Sequence, residues 1–245
     1  MLIEDAAYGS RWRQVSPGAK ACFALAGGLA AFTAATPGHA LAVAVTMGLA
    51  TLLGAGTPLP LYLRILLPTT TFLVLSSLSL LVTLGDDGHG GFAWQFAADA
   101  GPRIAELAAR SLAALAALLF LVLSTPLPDL IGLLHRLRVP EVLLDLMVLC
   151  YRVLAVFSVV LHDTLTAQRA RLGHGSARRR LRSLGLLVAN LAAQVWERAA
   201  ALNQAAQARN GDGPLRFLPR VYPGASRELA LALIAGSLLV FAASR

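Results

Sequence analysis

The stretch VLLDLMVLCYRVLAVFSVVL, Val142 to Leu161, decides the fold. It is as long as a membrane span, which takes about 17 to 25 mostly apolar residues, yet it carries Asp145 and Arg152. Each charge near the centre of a span costs about 2.5 to 3.5 kcal/mol on insertion scales. A span here would also put Arg136 and Arg138 on the opposite side of the membrane from Arg169, Arg171 and the arginines of 178–182. The positive-inside tendency disfavours that split. The stretch therefore reads as one helix of a cytoplasmic insertion, and the spans lie on either side of it.

Composition sets the class. Of 245 residues, 57% are hydrophobic and only 14% charged, against about a quarter charged in soluble domains. This is a polytopic membrane protein. Five runs have the length and character of spans: 19–35, 40–55, 61–84, 104–124 and 229–244. Ser16-Pro17 is a helix-start signal for the first, with Ser16 as cap. Pro37-Gly38 turns the chain back into the second, which is short and needs a thin bilayer or polar anchors. Arg64 snorkels at the start of the third, and Pro68 is expected to kink it. Gly85 to Gly91, with Asp86, Asp87 and His89 and no basic residue, reads as an outside loop. In the fourth run Glu106 and Arg110 stand at i,i+4, able to pair on one face.

The chain thus divides into an N-terminal membrane domain over 1–125 with four spans, a cytoplasmic helical domain over 126–227, and a last span over 228–245. Arg11, Arg13 and Lys20 place the N-terminus inside, and the opening Glu4 and Asp5, with no small-residue cleavage site, argue against a removable signal peptide. The net charge of +8 is concentrated in the cytoplasmic part, where 14 arginines from Pro126 to Arg227 face six acids. That half meets water, anionic headgroups or an acidic partner. Cys22 and Cys150 sit in apolar runs without ligand spacing, so both are expected to be buried hydrophobes with neither a disulfide nor a zinc site.

Within 126–227, leucines and Ile131 recur at helical spacing over Asp129 to Arg138, a short amphipathic helix that anchors at the inner membrane surface or transmits movement there. A long helix then runs from about Pro140 to Leu172, and a second from about Ala177 to Arg209. The apolar centre of the second, Leu184 to Trp196, is too short to span and is expected to pack on the first. Both end in similar words: Ala167-Gln-Arg-Ala-Arg-Leu-Gly173 and Ala205-Ala-Gln-Ala-Arg-Asn-Gly211. Alanine lets another surface approach the backbone, arginine supplies a fixed fork of donors, and glycine lets the helix stop. The pattern suits insertion into a partner's groove, although arginine at a helix C-terminus also complements the dipole by about 0.3 to 1 kcal/mol. Two long helices crossed at a large angle would bring the two ends side by side.

Ser124-Thr125-Pro126 … Asp129-Leu130 … Leu134 … Leu137 … Pro140, then Tyr151-Arg152, Ala170-Arg171, Glu197-Arg198 and Ala208-Arg209, resemble the transmembrane T component of energy-coupling factor transporters. The opening Asp5 … Ser10 … Trp12 … Val15 … Pro17 … Lys20 is similar to the cobalt-type branch, CbiQ. The resemblance covers nearly the whole chain. It implies an all-α integral membrane protein of a bacterial inner membrane, with about five transmembrane helices plus a cytoplasmic coupling region of two long crossed helices. It implies a non-catalytic subunit for uptake of cobalt, with nickel as the other ion, that joins two cytoplasmic ABC ATPases to an integral membrane substrate-binding (S) subunit and a small accessory membrane subunit. Carried over, Ala170, Arg171, Leu172 and Gly173 form the first ATPase contact, and Ala208, Arg209, Asn210 and Gly211 the second. The family pattern has Gly where Asn210 stands and Met where Ala206 stands; Asn also adopts the left-handed cap. Glycines 27, 28, 48 and 54 either meet the substrate subunit or serve packing within this chain.

Other classes are weaker. A self-contained transporter or channel usually carries ionisable groups in mid-membrane, and the first, second and last runs have none. A membrane enzyme using Asp86, Asp87 and His89 lacks a second ligand cluster, and no P-loop occurs, so neither a cofactor nor ATP hydrolysis is expected. Nucleic acid is not expected as a partner, because the arginines of 178–182 lack interleaved aromatics.

Overall fold

The computed structural model describes residues 2–79, 82–86, 92–96, 100–170, 177–208, 222 and 224–245. The chain separates into two compact units, Leu2–Leu130 with Arg220–Arg245, and Ile131–Pro219.

The first unit begins with α1 (Leu2–Gly9) and a 3-10 turn (Arg11–Gln14), followed by α2 (Pro17–Thr33) and α3 (Pro37–Leu49), which runs into a π-helical turn (Ala50–Gly54). After α4 (Leu59–Ser79) comes a two-stranded antiparallel hairpin, β1 (Val82–Asp86) and β2 (Phe92–Phe96), then α5 (Ala100–Ser124), the start of α6 (Leu127–Arg136), and α9 (Ala225–Ser244). The all-α membrane class stands, with this hairpin added. The third run was expected to be helical to Leu84 and Gly85 and Asp86 to be loop; both lie in β1 instead, with Val82 opposite Phe96 and Leu84 opposite Trp94. Alternating apolar residues on two facing segments stabilise paired strands, a period-two signal hidden by its continuity with α4. The remainder of the expected loop, 87–91, lies outside the described residues.

Five described helices are long and apolar enough to cross a membrane: Pro37–Gly54, Leu59–Ser77, Gly101–Ser124, Glu141–Ala170 and Ala225–Ser244. The number is the expected one, but its membership differs. The helix α7 (Glu141–Ala170) qualifies by length and composition, whereas α2 has 17 residues, at the short edge of the spanning range.

The core of this unit is made of small residues. Ala30 and Ala31 of α2, Val43 and Met47 of α3, Ala113, Ala116 and Ala117 of α5, and Ala243 of α9 form one buried cluster. In lipid no hydrophobic force drives helices together, so close backbone approach through Ala and Gly supplies the dispersion contact. Gly27 is pressed by the Met47 side chain, Gly48 faces Tyr62, and Gly54 lies under the Trp12 ring. Three of the four singled-out glycines therefore serve packing inside the chain, and only Gly28 has open space where a Cβ would be. Gly236 of α9 leaves just 2.6 Å between a built Cβ and the Ala26 methyl, so α2 and α9 meet almost backbone to backbone.

Polar groups close the helix ends. Pro17 opens α2 as expected, but the Ser16 side chain makes no cap; its backbone N–H instead donates to Glu228 Oε2 of α9 at 2.7 Å. Thr36 caps α3 by accepting from the His39 N–H. The expected Glu106–Arg110 pair forms at 2.7 Å, and Arg110 Nη2 also donates to the Ala34 carbonyl at the end of α2. At the other end of α5, Lys20 Nζ of α2 donates to the Ser124 carbonyl at 2.9 Å. Each helix of the α2–α5 pair thus carries the cation that caps its neighbour's C-terminus, where the helix dipole favours positive charge. Neither cysteine is the buried hydrophobe expected, since Cys22 is half-buried and Cys150 exposed.

Candidate coupling surface

The second unit holds the end of α6, the 30-residue α7 and α8 (Ala177–Ala208, 32 residues). Pro126 and Pro140 punctuate the chain around α6, and Arg138 between them takes a left-handed φ of 59°. The apolar stripe of α6 is covered in part, with Leu130 and Leu133 half-buried and Leu137 exposed. Ile131 is buried with Leu144 and Val148 of α7, and Leu134, Val139 and Met147 pack around them. The exposed remainder of this corner is His135, Arg136, Leu137 and Arg138, followed by Val142 and Leu143. Asp145 and Arg152, the two charges that set the reading of α7, sit in one unbroken helix.

Helices α7 and α8 pair in antiparallel order. Gln168 Nε2 donates to the Ser183 carbonyl at 2.9 Å, and a narrow cavity between the helices is lined by Val153, Val156, Phe157 and Val160 on one side and Leu191, Gln194, Val195 and Arg198 on the other. Leu187 and Leu191 are the buried residues of α8 among those described. The expected packing of Leu184 to Trp196 on α7 therefore holds for one face only: Leu184, Leu186 and Val188 are exposed, and Trp196 is 80% exposed. Backbones approach over a much smaller stretch than in the α2–α9 pair.

Ala170 is the last described residue of α7 and Ala208 the last of α8, and both are exposed. Arg171, Leu172, Gly173, Arg209, Asn210 and Gly211 lie outside the described residues. The ends are not side by side. Ser183 is held beside Gln168, and Ala208 stands about 25 residues farther along α8, roughly 37 Å at about 1.5 Å per residue.

The distal part of α8, from Val195 to Ala208, is exposed throughout. It carries Ala199, Ala200, Ala201, Ala205, Ala206 and Ala208, so it is a thin helix with accessible backbone edges, a shape that fits a groove. Its N-terminal turns carry exposed Arg178, Arg180 and Arg182. Among the described residues no group of three or more His, Cys, Asp or Glu is placed to hold a metal ion.

Sequence reasoning missed the inter-helix polar contacts. The spacing of Glu106 and Arg110 predicts their pair but not the Ala34 carbonyl, and Lys20 reads as a topology marker and a residue of the resemblance, with no partner assigned. A signal existed for Lys20: a lysine in the first turn of a helix opposes its own dipole, which asks for an acceptor elsewhere.

Comparison with known proteins agrees with this architecture. The family described as CbiQ, cobalt transport protein, matches residues 9–219, which include both arginine motifs. A cobalt transport protein CbiQ of Rhodobacter capsulatus is 35% identical over 245 residues, covering 99% of this chain and 95% of that one. A putative fused cobalt transport protein CbiMQ of Methanocorpusculum labreanum is 30% identical over 222 residues, 86% of this chain and 37% of the fusion. An uncharacterized protein of Methanocaldococcus jannaschii is 33% identical over 112 residues, 46% of this chain. Multi-pass, built around a small-residue helix bundle and carrying two long helices beyond it, the chain belongs to the CbiQ family of cobalt transport proteins.

Proposed function

We propose that this protein is the coupling subunit of an ATP-driven cobalt importer of the energy-coupling factor type. The observation that carries the reading is that exposed Ala170 of α7 and exposed Ala208 of α8 lie far apart, each leading in sequence into the rest of an arginine motif. Two separated ends of like chemistry suit two copies of one partner, and the partners are two cytoplasmic ABC ATPases. Arg171 and Arg209 supply the donor forks, and the alanines admit the helix tips into the ATPase grooves. The domain 126–227 then lies on the cytoplasmic side, with the N-terminus cytoplasmic, in a bacterial inner membrane.

The substrate-binding membrane subunit, with a small accessory subunit, meets the bundle. Open space at Gly28, flanked by exposed Leu25, Leu29 and Phe32, supports α2 as part of that contact. The fused CbiMQ relative, of which the matched part is 37%, supports work beside a second membrane component. The chain itself performs no catalysis.

The test is co-purification with a candidate ATPase pair in detergent, wild type against Arg171→Glu with Arg209→Glu. The wild type retains the ATPases and the double variant loses them while keeping its membrane fold and its substrate-subunit contact. Equal retention by both, or retention by neither, overturns the reading, and cobalt uptake by the chain alone in vesicles would make it a self-contained transporter.

A further inference from the structure

Lys20 is the single lysine of a chain with 21 basic residues, and it is 2% exposed. Its position on α2 is poor for its own helix, because a cation near an N-terminus opposes the dipole. It is good for α5. The Nζ donates to the Ser124 carbonyl, the last residue of that helix, in a pocket where Ser124 and Thr125 are also buried. Thr125 N–H still bonds back to the Leu121 carbonyl, and Pro126 starts the next helix, accepting from the Asp129 and Leu130 N–H groups. The chain leaves the compact unit of the membrane bundle directly afterwards, at Leu130.

We infer that Lys20 is a positioning residue for coupling: by clamping the Ser124 carbonyl to α2, it fixes the root from which the α6–α8 unit moves. The inference rests on the coupling role proposed above. A pull transmitted along α6 meets a junction whose last carbonyl is tied across the bundle, so the bend falls at Thr125-Pro126, between the two helices, and the force is not lost as sliding of α5. The bundle supplies its own comparator. Arg110 makes the reciprocal cap, on the Ala34 carbonyl at the opposite end of the same helix pair, where no coupling helix begins.

The experiment uses the assembled complex of this chain, the ATPase pair and the substrate subunit in proteoliposomes, reading ATPase retention, ATP hydrolysis and cobalt accumulated per ATP. Lys20→Met retains the ATPases and hydrolyses ATP, while cobalt per ATP falls about five- to tenfold, the lower range of coupling between distant sites. Lys20→Arg, which keeps a cationic donor, restores most of it, and Arg110→Met leaves the ratio near wild type. An unchanged ratio in Lys20→Met, or an equal fall in Arg110→Met, overturns the inference and leaves Lys20 a structural cap. If Lys20→Met does not assemble, Lys20→Gln, with a neutral donor, carries the same comparison and must show a partial fall. Failure of the wild-type chain to retain ATPases is a separate result, which overturns the coupling reading itself.

Discussion

The α2–α9 pair and the α7–α8 pair contain helices of ordinary sequence for a membrane protein, yet they pack by opposite rules. Between α2 and α9 there is no room for a methyl group at Gly236, and the ends are tied by Ser16 to Glu228 and by the Ala35 N–H to the Ala243 carbonyl at 3.0 Å. Between α7 and α8 a cavity stays open, Gly185 has no neighbour within 4 Å of a built Cβ, and Leu184, Leu186, Val188 and Trp196 stay exposed, the last two at the rim of a shallow cleft they share with Phe157. Burial completed inside the chain makes a scaffold. Burial left unfinished is what the proposed coupling role would use, since it leaves apolar surface for other proteins to cover.

The contrast breaks most sharply at Phe120, which is 1% exposed and touched edge-on by both Trp12 and Phe23. Phe120→Ala is expected to cost about 3 to 5 kcal/mol, seen as loss of monodisperse protein and a large fall in melting temperature in detergent. Next comes Gly236→Leu, an overpacking change of about 1 to 3 kcal/mol, because the obstructing Ala26 methyl has no rotamer to yield with. Gly27→Ala is milder, since the Met47 end it meets is flexible, and the same melting assay ranks the two. Gly185→Ala has the opposite sign: with space around it, the substitution stabilises α8 by about 0.5 to 1 kcal/mol through helix propensity, measurable as slower amide exchange in that helix. Trp196→Ser is the smallest, within about 0.5 kcal/mol of wild type in stability. A large destabilisation there would show that the α7–α8 pair is as closed as the bundle.

Much of the bundle was legible because its signals are local. Long apolar runs, the Pro17 start and the i,i+4 spacing of Glu106 and Arg110 each act within a few residues. The opening residues of the resemblance acquire physical reasons in the structure. Ser10 accepts from the Trp12 N–H to start the 3-10 turn, Trp12 covers Gly54, and Lys20 reaches Ser124. What was not legible depends on distance. The Ser16–Glu228 and Arg110–Ala34 contacts join residues far apart in sequence, and no spacing rule connects them. The hairpin was missed because hydropathy alone does not separate its strands from the end of α4. The composition of α7 supports either a span or a coupling helix, and Asp145 and Arg152 within its apolar stretch favour the second only with the positive-inside argument. The site was legible as motif words, of whose contact residues only Ala170 and Ala208 are described, while their wide separation came from the antiparallel order set at Gln168 and Ser183.

The Ser16–Glu228 bond also carries a consequence in time. Its two residues are 212 apart in the chain, and the helices it joins are the most intimately packed pair. At about 5 to 20 residues per second, a ribosome needs roughly 10 to 40 s to go from one to the other. Throughout that interval the small-residue face of α2 sits in the membrane without the neighbour that finally covers it, open to lipid, to the insertion machinery and to the wrong helix. Biogenesis of this protein is therefore a waiting problem, and its exposure to misassembly and proteolysis is greatest before α9 arrives.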